Sequence, residues 1–336
     1  MNNPKSNILL LSLILSTSSV GASPFSSLYV LGDSLSDIGA SSSAVYSIYN
    51  FLGGNCDPGH PCPPYYEGRY SNGPITAELL ADSILPGGAD SSNYYSYAVA
   101  GSTTGIGNFG DGGSATSLGF GLLPGMAFQI ATYLPSVNTH SDTLHLVWGG
   151  ANDFLTGDSA SGAAQNIAGT VSTLAAAGAK NILVPNLPNL SVTPFVQSQT
   201  SVVIESAYNF SVDFNTALSD HLDQLGALYP TTTIFQFDTF SLFDKIIEDP
   251  TSYGFSNTVD ACVVLPDVCA NASGYLFWDD FHPTHQTHQI FASAMASAVP
   301  LPGSLFLFIT GLIGLVWTPI QKAKSLSFPP GFPGRS

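Results

Sequence analysis

Hydrophobic residues in this chain fall into short unbroken runs separated by longer stretches with three-to-four spacing. Leu28 to Leu31 is apolar throughout and stops at Gly32, the pattern of a strand buried on both faces. Tyr94 to Ala100, Thr143 to Trp148, Asn181 to Val184 and Thr233 to Phe237 repeat that pattern, so five strands are expected. Helical patterns lie between them. Asn72 reads as an N-cap, with Pro74 just inside a helix that runs to about Ile84. Leu122 to Leu134 reads as a helix with a start blurred by Pro124 and Gly125, and Ala160 to Ala177 as an alanine-rich helix stopped by Gly178. The longest pattern, Val202 to Leu228, places Ile204, Tyr208, Phe214, Leu218, Leu222 and Leu225 on one stripe. Helices over about Phe240–Glu248 and Thr284–Ala298 complete the series. Strands alternating with helices, each strand short and apolar, predict an α/β protein with a mostly parallel sheet covered on both faces. With no internal repeat and no second core, one domain is expected over about residues 25–298.

Polar character changes this picture in one respect, its charge. Only 9% of the 336 residues are charged, and all 23 acidic residues lie between Asp33 and Asp280. Arg69, Lys180 and Lys245 are the cations of that stretch, which therefore carries a net −20. Such a body excludes nucleic acid as a partner and opposes docking on anionic lipid by charge alone. An ion pair close by in the chain is expected for Arg69, rather than a substrate contact.

The ends read as processing segments. Residues 1–22 resemble a secretory signal peptide: Lys5, an uncharged run from Ile8 to Leu15, then Val20-Gly21-Ala22. Leu301 to Trp317 is uncharged and precedes Lys322 and Lys324. Its 17 residues would span roughly 26 Å as a helix, close to a hydrocarbon core of about 30 Å. The whole of 299–324, beginning Val299-Pro300-Leu301-Pro302-Gly303, resembles a PEP-CTERM sorting signal, with Leu301 where glutamate is usual and a short tail at 325–336. That resemblance implies export to a bacterial envelope, membrane anchoring before C-terminal processing, and a sorting machinery as partner. Cys56 with Cys62 and Cys262 with Cys269 read as two small disulfide loops in an exported chain. Zinc is the alternative, with His60 near the first pair.

Candidate chemistry gathers at strand ends. Gly32-Asp33-Ser34 ends the first strand, Gly101 follows the second, and Gly150-Ala151-Asn152-Asp153 follows the third. In a doubly wound sheet, C-terminal strand ends of this kind meet in one crevice. A serine there needs a base and an oxyanion site before it can act as a nucleophile. Trp278-Asp279-Asp280-Phe281-His282-Pro283 supplies a histidine on a corner, with Pro283 expected in the first turn of the last helix. Asp279 can double back to its imidazole; Asp280 is the less favoured orienting acid. The amides of Ser34 and Gly101 and the side chain of Asn152 are the expected oxyanion donors. His282, His285 and His288 recur every third residue, but their directions drift round a helix, which argues against a metal site. Asp33 and Asp153 are expected to support the turns.

Together these residues resemble the SGNH, or GDSL, family of serine esterases and lipases. Four blocks carry the resemblance, in order: Gly32 to Asp37, Tyr97 to Thr104, Gly150 to Asp153, and Asp279-x-x-His282-Pro283-Thr284. Gly68-Arg69-Tyr70-Ser71-Asn72-Gly73 and Leu187-Pro188 are similar to the branch of plant-type GDSL lipases and bacterial lecithinase-like enzymes. The resemblance implies a flavodoxin-like three-layer α/β/α sandwich with a central five-stranded sheet. It implies a triad of Ser34, His282 and Asp279, an oxyanion hole of Ser34, Gly101 and Asn152, and no metal or other cofactor. It also implies a small-molecule or lipid ester as substrate. A polysaccharide O-acetylesterase, or a non-catalytic envelope protein on the same fold, are the rival readings.

Overall fold

A computed structural model describes residues 25–39, 55–56 and 59–299 of the protein. The expected signal peptide (1–22), the sorting segment beyond Val299 and the tail (325–336) lie outside the described residues. Among the described residues, no helix is long and apolar enough to cross a membrane.

The five apolar runs form β1 (Ser27–Gly32), β2 (Tyr94–Ser96), β3 (Thr143–Trp148), β4 (Asn181–Pro185) and β5 (Thr233–Phe237). They make one sheet in the order β2-β1-β3-β4-β5, with every pairing parallel. Leu28 is in register with Tyr94 on one side and Leu144 on the other. The chain thus leaves β1 in one direction and returns to build outward in the other, which opens a crevice at the C-terminal ends of β1 and β3.

Alternation along the strands divides the core between two faces. Leu28, Val30, Leu144, Leu146 and Trp148 pack against α1 (Thr76–Ile84) and the last helix, α8 (His285–Ala298). Leu31, Val147, Ile182 and Val184 pack on the other face against α2 (Met126–Tyr133), α4 (Ala160–Ala176) and α6 (Ser201–Leu228). This is the three-layer α/β/α sandwich expected. Leu28 and Leu144 are fully buried, and truncating either to alanine would cost about 2–5 kcal/mol.

Several boundaries differ from the sequence reading, each for a local reason. Helix α1 starts at Thr76, because Glu78 reaches back to accept Ile75 N at 3.1 Å. Asn72, expected to cap α1, instead accepts His285 N at 2.7 Å and caps α8 across the fold. Pro283 precedes α8 rather than entering its first turn. Strand β2 ends at Ser96, and helix α2 begins only at Met126. On α6, Tyr208 faces solvent at 44% exposure and Phe210 takes the core position. Arg69 pairs with Glu78 at 2.6 Å, the local ion pair expected.

Between α7 (Thr239–Glu248) and α8 the chain forms strands that periodicity did not announce. β6 (Asn257–Ala261) pairs with β9 (Tyr275–Phe277), and β7 (Val263–Val264) with β8 (Asp267–Val268). The Cys262–Cys269 disulfide closes the β7–β8 hairpin, and Cys56–Cys62 is also joined. Both disulfides border a small cluster of Tyr65, Val263 and Trp278, where the two cysteine loops meet.

Candidate active site

The chain turns sharply after β1. Asp33 accepts Leu35 N through Oδ1 at 3.1 Å and Ser36 N through its carbonyl at 3.0 Å, closing the turn on which Ser34 stands. Buried Gln129 of α2 clamps the strand end. Its Oε1 accepts Gly32 N and its Nε2 donates to Gly32 O, both at 2.8 Å. A lone amide in an otherwise apolar helix was the available signal for Gln129, and it was missed.

From the far end of the chain, residues 276–284 fold back on themselves. Trp278 N donates to His282 O at 2.7 Å and Thr284 N to Leu276 O at 3.0 Å. That hairpin brings Asp279 round to the imidazole three residues later. His282 Nδ1 lies 2.9 Å from both Asp279 oxygens, and Nε2 lies 2.8 Å from Ser34 Oγ, 248 residues away in sequence. A carboxylate only accepts, so Nδ1 carries a proton and, in the neutral ring, Nε2 is left to accept from the serine hydroxyl. Asp280 is exposed, and its carbonyl accepts Phe195 N.

The electrostatics match this geometry. Burial alone would raise the Asp279 carboxyl. The charge of His282, its ring N–H, and the Phe281 and His282 amides outweigh burial and hold the acid below its ordinary value. For His282, burial opposes the cation, but Asp279, with Asp33 and Asp280 nearby, raises the imidazole above its ordinary value. Burial lifts Asp33 to about 6.

Asp279 has a further partner that sequence reasoning missed. Tyr65, 5% exposed, donates its hydroxyl to Asp279 Oδ2 at 3.0 Å. Its ring packs edge-on against Trp278 and Tyr70, and Tyr70 tilts over the His282 ring at 4.8 Å. The cysteine-braced cluster therefore reaches the carboxylate through a single hydroxyl.

The three expected oxyanion donors line the same cavity as the serine hydroxyl. Gly101 adopts φ +76°, and a side chain there would run into Asn108 Oδ1. Asp37 Oδ2 accepts Ala100 N at 2.7 Å and fixes the approach to it. Asn152 sits in the short α3 (Ala151–Thr156), not in a plain turn, and gives one N–H to Ser102 O at 3.0 Å. Ser102 Oγ in turn accepts from Gln129 Nε2 at 3.0 Å. The second Asn152 N–H and the amides of Ser34 and Gly101 donate to no group among the described residues. Ser34, Gly101, Asn152 and His282 all line one cavity of about 520 Å³. Its remaining wall is mainly apolar and includes Leu123, Phe154, Leu155, Val196, Phe243 and Phe291.

The glycine-rich stretch after Gly101 is a folded lobe. Gly105 and Gly107 lie so close to the backbone of Ala115 and of Ser114 and Ser117 that no side chain fits at either position. Asp153 ties the lobe to α3 by accepting Thr104 N at 2.9 Å and Thr104 Oγ1 at 2.6 Å, and burial lifts its carboxyl to about 7. The three histidines of the last helix and its corner have separate partners. His285 Nδ1 meets Pro74 O at 2.7 Å and His288 Nδ1 accepts Thr76 N at 3.1 Å, while His282 faces Ser34. Among the described residues, no cluster of metal ligands occurs.

A hydroxyl hydrogen-bonded to an imidazole, a carboxylate on the ring's other nitrogen, and N–H groups lining the same cavity can support acyl transfer through a tetrahedral oxyanion. Comparison with known proteins agrees with that chemistry. The chain is 26% identical to a phosphatidylcholine-sterol acyltransferase of Aeromonas hydrophila, over 82% of this chain and 90% of that one. It is 26% identical to a GDSL esterase/lipase of Arabidopsis thaliana, over 89% and 98%. It is 27% identical to the thermolabile hemolysin of Vibrio parahaemolyticus, over 79% and 62%. The model of the GDSL-like Lipase/Acylhydrolase family matches residues 28–295. This chain belongs to that family and is a carboxylic ester hydrolase.

Proposed function

We propose that the protein hydrolyses lipid esters, with Ser34 as nucleophile, His282 as general base and Asp279 as the acid that orients it. His282 Nε2 takes the Ser34 proton as Oγ attacks the ester carbonyl. The oxyanion collects hydrogen bonds from Ser34 N, Gly101 N and Asn152 Nδ2. His282 then passes its proton to the leaving alcohol, and an acyl-serine ester forms. Water, deprotonated by the same imidazole, attacks that ester and releases the acid and Ser34. The observation carrying the reading is the unbroken line Asp279–His282–Ser34 at 2.9 and 2.8 Å.

The mainly apolar cavity beside Ser34 favours an acyl chain over an acetyl group on a polysaccharide. The test is hydrolysis of p-nitrophenyl acetate, butyrate and decanoate by the protein and by Ser34→Ala. The wild type is expected to favour the longer chains and the variant to lose activity on all three. Equal rates for the two proteins would overturn the mechanism, and a preference for acetate would overturn the lipid reading.

The same reading takes the hydrolase domain as residues 25–298, with export directed by 1–22 and envelope anchoring by 299–324. A relative 27% identical, from Salmonella typhimurium, is named a secreted effector protein, which supports export. Truncation after Val299 is expected to release the protein into the medium. Identical fractionation of truncated and full-length chains would refute the anchor.

A further inference from the structure

The lobe from Ser102 to Leu123 presents large apolar side chains to solvent. Phe120 is 85% exposed, Leu122 58% and Leu118 44%. Phe109, 49% exposed, reaches from the same lobe into the wall of the cavity beside Ser34, as does buried Leu123. Loose packing does not explain the display. Phe120 N donates to Asp111 O at 3.0 Å, and Gly121 N to Leu118 O at 2.9 Å. Asp111 Oδ2 accepts Leu122 N at 2.8 Å and Leu123 N at 3.0 Å. The backbone is thus held by its own bonds while the side chains point outward, a costly arrangement unless another apolar phase covers them.

Charge narrows what that phase is. Residues 102–139 contain no lysine, arginine or glutamate, and Asp111 is the sole aspartate, turned inward onto two amides. The rest of the body is strongly acidic and repels an anionic surface. An uncharged apolar prominence on an acidic protein suits a neutral or zwitterionic lipid interface, entered to a shallow depth. The prominence is also continuous with the cavity through Phe109 and Leu123. Phe109 and Leu123 thus belong both to the lobe and to the wall of the cavity that holds Ser34.

We propose that the lobe carrying Leu118, Phe120 and Leu122 is the surface by which the enzyme settles on an aggregated zwitterionic ester lipid. This rests on the Ser34 hydrolase reading given above, and the experiment separates the two. The full chain, the double variant F120S/L122S, and Val202→Ser as an exposed control on α6 are assayed on dihexanoyl phosphatidylcholine below and above its micelle concentration. The wild type and the control are expected to gain rate sharply above that concentration. The double variant keeps the monomer rate, which also reports its folding, and loses about tenfold or more of the micellar rate. Ser34→Ala loses both. The proposal is overturned if the wild type gains nothing on micelles, or if the double variant follows it on both sides. It is equally overturned if micelles of anionic dihexanoyl phosphatidylglycerol stimulate as strongly. Failure of every enzyme form on phosphatidylcholine, with p-nitrophenyl butyrate still cleaved, would remove the lipid surface and leave the Ser34 chemistry standing.

Discussion

His282 and His288 flank the start of one helix and have opposite chemistry. His282 points Nδ1 at a carboxylate that only accepts, so in the neutral ring Nε2 faces Ser34 without a proton. His288, 1% exposed, points Nδ1 at the backbone N–H of Thr76, which only donates, so that nitrogen has to accept. The first imidazole is raised above its ordinary value by Asp279 against the cost of burial. Burial, with His282 and His285 nearby, pushes the second down to about 3. Residue type decides neither role. The atom opposite Nδ1 sets the tautomer, and whether a carboxylate is present determines whether the ring can hold a proton.

Exchanging each ring for an amide should separate the two most widely. His282→Gln is expected to cut kcat/KM by at least about 10⁴, as loss of a triad base does. His288→Gln should leave kcat/KM within a few-fold and instead lower the unfolding free energy by about 1–3 kcal/mol, from a buried bond poorly replaced. If the two variants lose activity alike, the distinction fails. Next comes Asp279→Asn, which keeps the shape but offers Nδ1 an uncertain partner; a fall of about 10⁴ in kcat is expected. Retained activity would return the orienting role to exposed Asp280.

Acidity sharpens the comparison further. Activity requires neutral His282, so the acid limb of kcat/KM is expected above the ordinary imidazole value of about 6.5. The raised folded value also means that imidazolium at 282 stabilises the fold fully below the unfolded pKa and loses that contribution as pH rises through the folded one. His288 runs the other way. Its folded value of about 3 lies below the unfolded one, so its contribution is present above about 6.5 and is lost as pH falls. Urea unfolding of the protein and of His288→Gln at pH 7, 6 and 5 should therefore converge, the variant losing less stability per pH unit, by at most about 1.4 kcal/mol. Parallel curves would refute the assignment.

The smallest effect belongs to Tyr65→Phe. It keeps the ring against Trp278 and removes one donor from Asp279. A loss of a few-fold in kcat is expected, with the acid limb moved to higher pH because the less stabilised carboxylate holds the imidazolium more tightly. A purely structural tyrosine would lower stability and leave that limb in place.

How much of this is legible in the chain follows from how local each feature is. Strand β3 begins and ends where its apolar run does, since a parallel strand buried along its whole length needs nothing but itself to be recognised. The proposed triad residues were legible through short motif blocks, each tied to a turn. Tyr65 was not, because its role exists only through a carboxylate 214 residues further on. Asn72 looked like a cap and is one, but for α8, a choice only tertiary contact makes. The fold of the glycine lobe was not legible, because close backbone packing and flexible chain draw on the same residues. The strands at 257–277 are two to five residues long, too short to show a period.

The distance in sequence between Ser34 and His282 has a consequence for how this enzyme comes into being. In the proposed mechanism the base and orienting acid arrive late in the chain, on the corner that Asn72 and Ser71 hold through His285 N and Pro283 O. Synthesis from the N-terminus presents Ser34 a full 248 residues before His282. On that mechanism, hydrolytic activity reports that the two ends of the domain have met.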